Sequence, residues 1–174
     1  MIDFLPISRA DMRRRGWDQL DVILITGSNT TENHPVLSAG VKRAVASGRA
    51  RLIVVDPRRI KIAEFAETYL RPNLGTDVAW INGMMNVIIK EGLYDKEFVT
   101  NWTVGFDQLV KHVEDYSPAQ VEKISSVPAE TITNMARMYA TTKPACISPR
   151  NALDEHTNAS CAIRATDILM PITG

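Results

Sequence analysis

The chain has 174 residues, 45% of them hydrophobic and 23% charged, with twenty basic and twenty acidic side chains in balance. That length supports one domain with a real core, and that composition belongs to an ordinary soluble globular protein. Zero formal charge removes the bulk electrostatic case for nucleic acid or an anionic membrane, and no apolar run approaches the roughly 20 residues that span a bilayer.

Residues 1–20 read as an irregular N-terminal segment, with a short polar helix possible over 11–18. The run Arg13-Arg14-Arg15 reads as a solvated face. Residues 22–25 form a short aliphatic run without polar alternation, which suits a strand buried on both faces of a parallel sheet. The run breaks at Thr26-Gly27-Ser28-Asn29, and a helical pattern begins at Pro35, a residue suited to a helix's first turn. A strand, a small polar turn and a helix N-terminus together make a site for an anion. His34, beside Pro35, is either a ligand contact or a local hydrogen-bonding residue.

Val36, Leu37, Gly40, Val41, Ala44 and Val45 lie on one helical stripe, and Gly48 follows as a C-cap. Residues 51–56 repeat the first strand's pattern, so the two strands and their helix predict a parallel βαβ unit. The second strand ends in Asp56-Pro57-Arg58-Arg59. An acid there can take a ribose hydroxyl, although Asp56 comes 29 residues after Gly27 and the simple fingerprint expects about 20. It can equally cap a helix that opens at Pro57. Arg58 and Arg59 are either a phosphate fork or solvated.

Residues 60–67 predict a short helix and 68–71 a third strand. Pro72-Asn-Leu-Gly-Thr-Asp77 is a second turn cluster, which leads into a helix over 78–90 with Gly92 as its stop. Thr76 or Asp77 can cap that helix; Asp77 could instead accept two hydrogen bonds from a ring such as guanine, and on geometry alone the cap has the better claim. The second half is helical, over 94–101, 106–116, 119–123 and 128–140, with Ser117 and Ser126 at helix starts. Residues 144–148 predict a further buried strand, and a last helix runs to about 170 with no terminal structure beyond. The fold class is therefore α/β: a Rossmann-like three-layer αβα arrangement over residues 21–174, with a parallel sheet and a helix-rich second half.

Several chemistries lack their residues. Cys146, His156 and Cys161 do not have structural zinc spacing, so no metal ligand is expected. No Walker A motif or serine nucleophile elbow is present, and Gly27 lacks the further glycines of the simple NAD fingerprint. Cys146 and Cys161 form no Cys-rich framework, so free thiols in the cytoplasm are expected, with export through an upstream segment left open.

Four blocks in series carry a resemblance: Gly27-Ser-Asn-Thr-Thr-Glu-Asn-His-Pro35, Leu52-Ile-Val-Val-Asp-Pro-Arg-Arg59, Gly75-Thr-Asp77 and Ile88-Ile-Lys-Glu-Gly-Leu-Tyr-Asp95. Gly105-Phe106, Tyr116-Ser-Pro118 and Val127-Pro-Ala-Glu130 continue it. The chain resembles the molybdopterin-dependent oxidoreductases of the dimethyl sulfoxide reductase type, most closely the formate dehydrogenase branch, over about residues 21–147 and more loosely over 148–174. The resemblance implies a domain that grips a molybdopterin guanine dinucleotide, with molybdenum or tungsten in the intact enzyme. It puts Gly27, Ser28 and Asn29 along the pyrophosphate or its sugar, with Glu32 and His34 close by. It puts Asp56 on the ribose, Arg58 near the guanosine, and Gly75, Thr76 and Asp77 at the guanine, which turns Asp77 from cap to ligand.

Family members also carry an upstream iron–sulfur domain, a group on the metal and a C-terminal cofactor domain, none of which these residues match. The chain is therefore expected to be a fragment or one piece of a split protein, whose partners are the remaining domains or subunits. No catalytic residue is assigned; Arg150, Asp154 and His156 lie beyond a strand end, where a cofactor could lie. The tail Asn151-Ala-Leu-Asp154 is more like the acetylene hydratase side of the family. The parent reaction implied is formate oxidation to carbon dioxide, with acetylene hydratase-like chemistry, a non-catalytic nucleotide-binding or assembly module, or an NAD enzyme as alternatives.

Overall fold

A computed structural model describes residues 16–174; the arginine run and most of the polar helix expected over 11–18 lie outside the described residues. Four parallel strands, β1 (Val22–Thr26), β2 (Arg51–Val55), β3 (Thr68–Leu70) and β4 (Ala145–Pro149), form one sheet in the order β3-β2-β1-β4. This order puts β1 inside the sheet, with Ile23 opposite Leu52 on one side and Cys146 on the other. All five residues of β1 are buried, as its unbroken aliphatic run requires.

Alternate residues of β1 feed two separate cores. Ile23 and Ile25 join Leu52, Val54, Val41 and Ala44 under α2 (Pro35–Ala46). Val22 and Leu24 join Ile53, Val55 and Leu70 under α3 (Asp77–Lys90) and the helices around it. The sheet is thus the middle of three layers, as expected. A one-turn helix α1 (Thr30–Asn33) precedes α2, which opens with Pro35 in its first turn. The stretch before Pro35 thus turns once more than the pattern suggested.

The second core is built around α3. The expected stripe, from Val78 to Ile89, is only part of its buried surface, because residues 79–88 are buried all round the helix. It packs among α5 (Phe106–Val113), α6 (Pro118–Ser125), α7 (Ala129–Thr141) and α9 (Ala159–Thr173), and a helix surrounded in this way buries polar residues too. Asn86 donates its amide N–H to the Val113 carbonyl at 2.6 Å, while its Oδ1 has no partner among the described residues, and the Asn82 amide lies 3.3 Å from His112 Nε2. Gly83 lets α6 close on α3, since a Cβ there would lie 2.8 Å from Val121 Cγ2.

Several expectations are corrected at element ends. The short helix expected over residues 60–67 is present as a 3-10 helix, Lys61–Phe65. Helix α4 (Lys96–Trp102) starts at Asp95, whose carboxylate accepts the Phe98 N–H. Ser117 caps α6 as expected. Ser126 does not cap α7: it closes α6 in the left-handed region, at φ 62°, where Asn73 donates to its hydroxyl. The Ala129 N–H, in the first turn of α7, instead finds the Glu122 carboxylate. β4 is an edge strand, and of its five residues only Cys146 is buried. The C-terminus is structured, because α9 runs to Thr173 and the Ile172 carbonyl accepts the Asp95 N–H at 2.8 Å.

Gly83→Ala should overpack the α3–α6 contact and destabilise the chain by about 1–3 kcal/mol, because Val121 and Ile132 close the space on one side. Urea denaturation of the two proteins measures this directly.

Candidate functional site

In open α/β sheets the crevice for a ligand lies beyond the carboxyl ends of the strands, where chain ends diverge and backbone groups are left over. A shallow crevice lies here, lined by Thr26, Gly27 and Val55 at strand ends and by the loops after β2, β3 and β4. Pro57, Pro72 and Leu74 give it apolar surface, and Asp77 and His156 give it polar edges.

The loop after β1 combines a strained turn with leftover polar atoms. Gly27 stands at φ +61°, and a Cβ on it would meet Leu153 Cδ1 at 2.9 Å. Its N–H donates to the Val55 carbonyl and its carbonyl accepts the Ala152 N–H, each at 3.3 Å. Gly27 is therefore a joint between β1 and the short helix α8 (Asn151–Asp154), and its N–H is not free for an anion. Thr26 and Thr30 do the opposite. Both are buried, and among the described residues Thr26 Oγ1, Thr30 Oγ1 and Asn29 Oδ1 have no hydrogen-bond partner. Buried hydroxyls left unpaired cost stability, and Thr26, the one of these residues on the crevice lining, suits an acceptor-rich ligand such as a phosphate. Ser28 is buried in the same loop.

Asn29 donates to Glu32 at 2.8 Å, and Glu32 also lies 3.7 Å from Lys61. Glu32 and His34 sit along α1 and at its end, and neither lines the crevice. The structure thus brings Gly27, Gly75 and Asp77 onto the lining of one crevice, while Ser28, Asn29, Glu32, His34, Asp56, Arg58 and Thr76 are not part of that lining.

Asp56 is 4% exposed at the end of β2. It does not cap a helix; its Oδ1 accepts the Arg58 N–H at 2.8 Å in a tight turn. Burial pushes its carboxyl above the usual carboxylate range; the Arg58 N–H and guanidinium pull the other way, and the nearby charge of Asp77 adds to the rise. A buried acid held at a strand end beside a second acid suits a ligand that donates two hydroxyls. Arg58 itself is exposed.

The loop after β3 is pinned at both ends and open in the middle. Thr76 donates to the Asn73 carbonyl at 2.6 Å, and Asn73 donates to Ser126. The Asn158 amide donates to the Gly75 carbonyl from across the crevice, at 3.3 Å. Gly75 stands at φ +76°, and no atom lies within 4 Å of the point a Cβ would occupy, so the space in front of it is clear. Neither Thr76 nor Asp77 caps α3 with its side chain, because Asp77 instead accepts the Trp80 indole N–H at 3.3 Å. Asp77 remains part of the crevice wall.

Sequence reasoning missed Thr26 and Thr30, whose hydroxyls look like ordinary turn chemistry until their burial is known. It missed Leu74 and Asn158 for the same kind of reason: one is an exposed leucine, the other a lone amide 83 residues from its partner. His156 lies on the crevice, while Asp154 and Arg150 do not. Among the described residues, no group of three or more His, Cys, Asp or Glu is placed to hold a metal ion.

The folded state holds the Asp56 proton more tightly than the unfolded chain, so this group's contribution to stability falls as pH rises through the raised folded pKa. Asp56→Asn keeps an oxygen for the Arg58 N–H and removes the buried charge. The variant should melt above the parent at pH 8, and the gap should close as pH is lowered toward the usual carboxylate pKa near 4. Paired thermal melts across that range test it.

The comparisons with known proteins bear on the same residues. Residues 6–170 match the family model described as molybdopterin oxidoreductase. The alpha subunit of an F420-dependent formate dehydrogenase from Methanocaldococcus jannaschii is 42% identical over 154 residues, 88% of this chain and 23% of that subunit. Formate dehydrogenase H of Escherichia coli is 37% identical over 157 residues, 90% of this chain and 22% of that enzyme. The solved structure of acetylene hydratase from Pelobacter acetylenicus superposes with a TM-score of 0.85 at 42% identity, covering 90% of this chain and 22% of that one. The chain spans about a fifth of the length of these relatives. This chain belongs to the molybdopterin oxidoreductase family.

Proposed function

We propose that residues 21–174 hold the guanine dinucleotide end of a molybdopterin cofactor within a larger molybdenum or tungsten oxidoreductase. The observation that carries this reading is Asp56, a buried acid fixed at the end of β2 near Asp77, between the crevice-lining residues Val55 and Pro57. Its Oδ1 already serves the Arg58 N–H, which leaves its second oxygen to a ribose diol. In this reading the exposed Arg58 reaches the guanosine.

In this reading the clear space at Gly75 admits the edge of the base, Thr76 shapes the loop, and Asp77 accepts from guanine N–H groups. The unpaired hydroxyls of Thr26 and Thr30 donate to the pyrophosphate, with Ser28 and Asn29 alongside. Gly27 sets the loop's path, and Glu32 and His34 fix the adjoining turn of α1 without forming the crevice wall. Pro57, Pro72 and Leu74 exclude water from the base. None of these residues carries out the redox step; they bind and orient. When bound, the metal–pterin group supplies two-electron transfer chemistry.

The parent reaction we favour is formate oxidation to carbon dioxide, supported by the formate dehydrogenase relatives. The likeness to acetylene hydratase supports a second reading, a hydratase-like parent, and the same crevice serves either one. The remaining domains or subunits of the parent, including any iron–sulfur domain, are the partners this reading requires. Two cysteines outside any disulfide support a cytoplasmic setting.

Isothermal titration calorimetry with GDP, ADP and NAD tests the reading. The chain should bind GDP in preference to ADP, and Asp77→Asn should weaken GDP about tenfold or more while leaving ADP unchanged, because a site built for a base edge is left with a mismatched group. Tight NAD binding with no response to GDP would contradict it.

A further inference from the structure

We infer that Tyr69 and Arg71 on the third strand are positioning residues for the acid that takes the ribose, an inference that rests on the dinucleotide reading above. The ladder between β2 and β3 ends where Asp56 begins: Val55 pairs with Leu70, and the Asp56 N–H donates to the Leu70 carbonyl at 3.1 Å. Beyond that point the Asp56 and Pro57 carbonyls have left the strand, and Pro57 has no N–H to contribute. Two side chains from β3 and its end take over. The Tyr69 hydroxyl donates to the Asp56 carbonyl at 3.0 Å, and Arg71 Nε donates to the Pro57 carbonyl at 2.8 Å.

Tyr69 packs on one face of β3 while Leu70 enters the opposite core, and Arg71 follows just past the strand end. The Arg58 N–H then fixes the Asp56 carboxylate itself. Three hydrogen bonds, at successive points along residues 56–58, set both the backbone and the side chain of the acid. None of them is part of the sheet, and none is needed to bury the core. The Tyr69 hydroxyl and Arg71 Nε are engaged by the Asp56 and Pro57 carbonyls, so both residues act through the turn that carries Asp56.

The consequence is specific to the sugar. Loosening the turn moves Asp56 and leaves the guanine side, held by the separate Asn73, Thr76 and Asn158 contacts, where it was. Small displacements of an oriented group are costly, and a lost hydrogen bond corresponds to about five- to tenfold in affinity.

The test is calorimetric titration of the full 174-residue chain with GDP and with 2′,3′-dideoxy-GDP. For Tyr69→Phe the expected result is a five- to tenfold loss for GDP, as above, and a change within about twofold for the dideoxy nucleotide, which offers Asp56 nothing to bind. Arg71→Met should do the same through the Pro57 carbonyl, and Arg71→Lys should restore part of the loss. The arginine pair of variants keeps the question decidable if Tyr69→Phe fails to fold. Equal losses on both nucleotides, or no loss on either, would overturn the positioning role while leaving the dinucleotide reading intact. Failure of the unmodified chain to bind GDP at all would overturn that reading itself, and this inference with it.

Discussion

Strand β1 is paired on both edges and covered on both faces, and its five residues have no route to water except at their carboxyl end. Such a strand admits only aliphatic residues until the sheet stops. At Thr26 the sheet does stop, and this first polar residue of the strand lines the crevice. The same constraint acts on β2, where Val55 is the last buried aliphatic and Asp56 the first polar residue. Two parallel neighbours ending in register thus bring a hydroxyl and a carboxylate to one side of the sheet. Parallel pairing, more than any single motif, places the crevice.

Within that crevice the burdens are divided unevenly. Gly27 spends both backbone groups on Val55 and Ala152, so its role is to let α8 close against the strand end. Gly75 has no neighbour to accommodate and serves through its backbone angle and the open space in front of it. Two glycines that look equivalent in sequence therefore do different things. Asp56 carries the opposite tension: burial raises its pKa while the Arg58 N–H and charge hold it down. A group kept in a position that costs stability is the expected mark of a binding residue.

Much of the fold was legible because it rests on short-range rules. Unbroken aliphatic runs gave β1 and β2, and Pro35 marked the start of α2, whose stripe holds from Leu37 to Val45 while Val36, expected on it, is 83% exposed. The loops were legible as loops. Their partners were not, because these depend on contacts far apart in sequence, such as Asn158 on Gly75 or Tyr69 on Asp56. Ser126 was misplaced for a related reason: its left-handed conformation answers to the end of α6 and to Asn73, which local capping rules do not see. The all-round burial of α3 escaped as well, since a helical stripe gives the angle of one buried face and says nothing of helices that arrive later on the others. For the candidate site, the resemblance implied roles, and the structure adds which of those residues line the crevice, namely Gly27, Gly75 and Asp77.

The central claim is that three separate loops, after β1, β2 and β3, form one guanine nucleotide site. Amide hydrogen exchange with and without GDP tests it most directly. The account predicts slowed exchange in residues 26–30, 56–60 and 73–77 together, with the exposed 102–105 turn unchanged. Protection confined to one loop, or none in any of the three at saturating GDP, would contradict it.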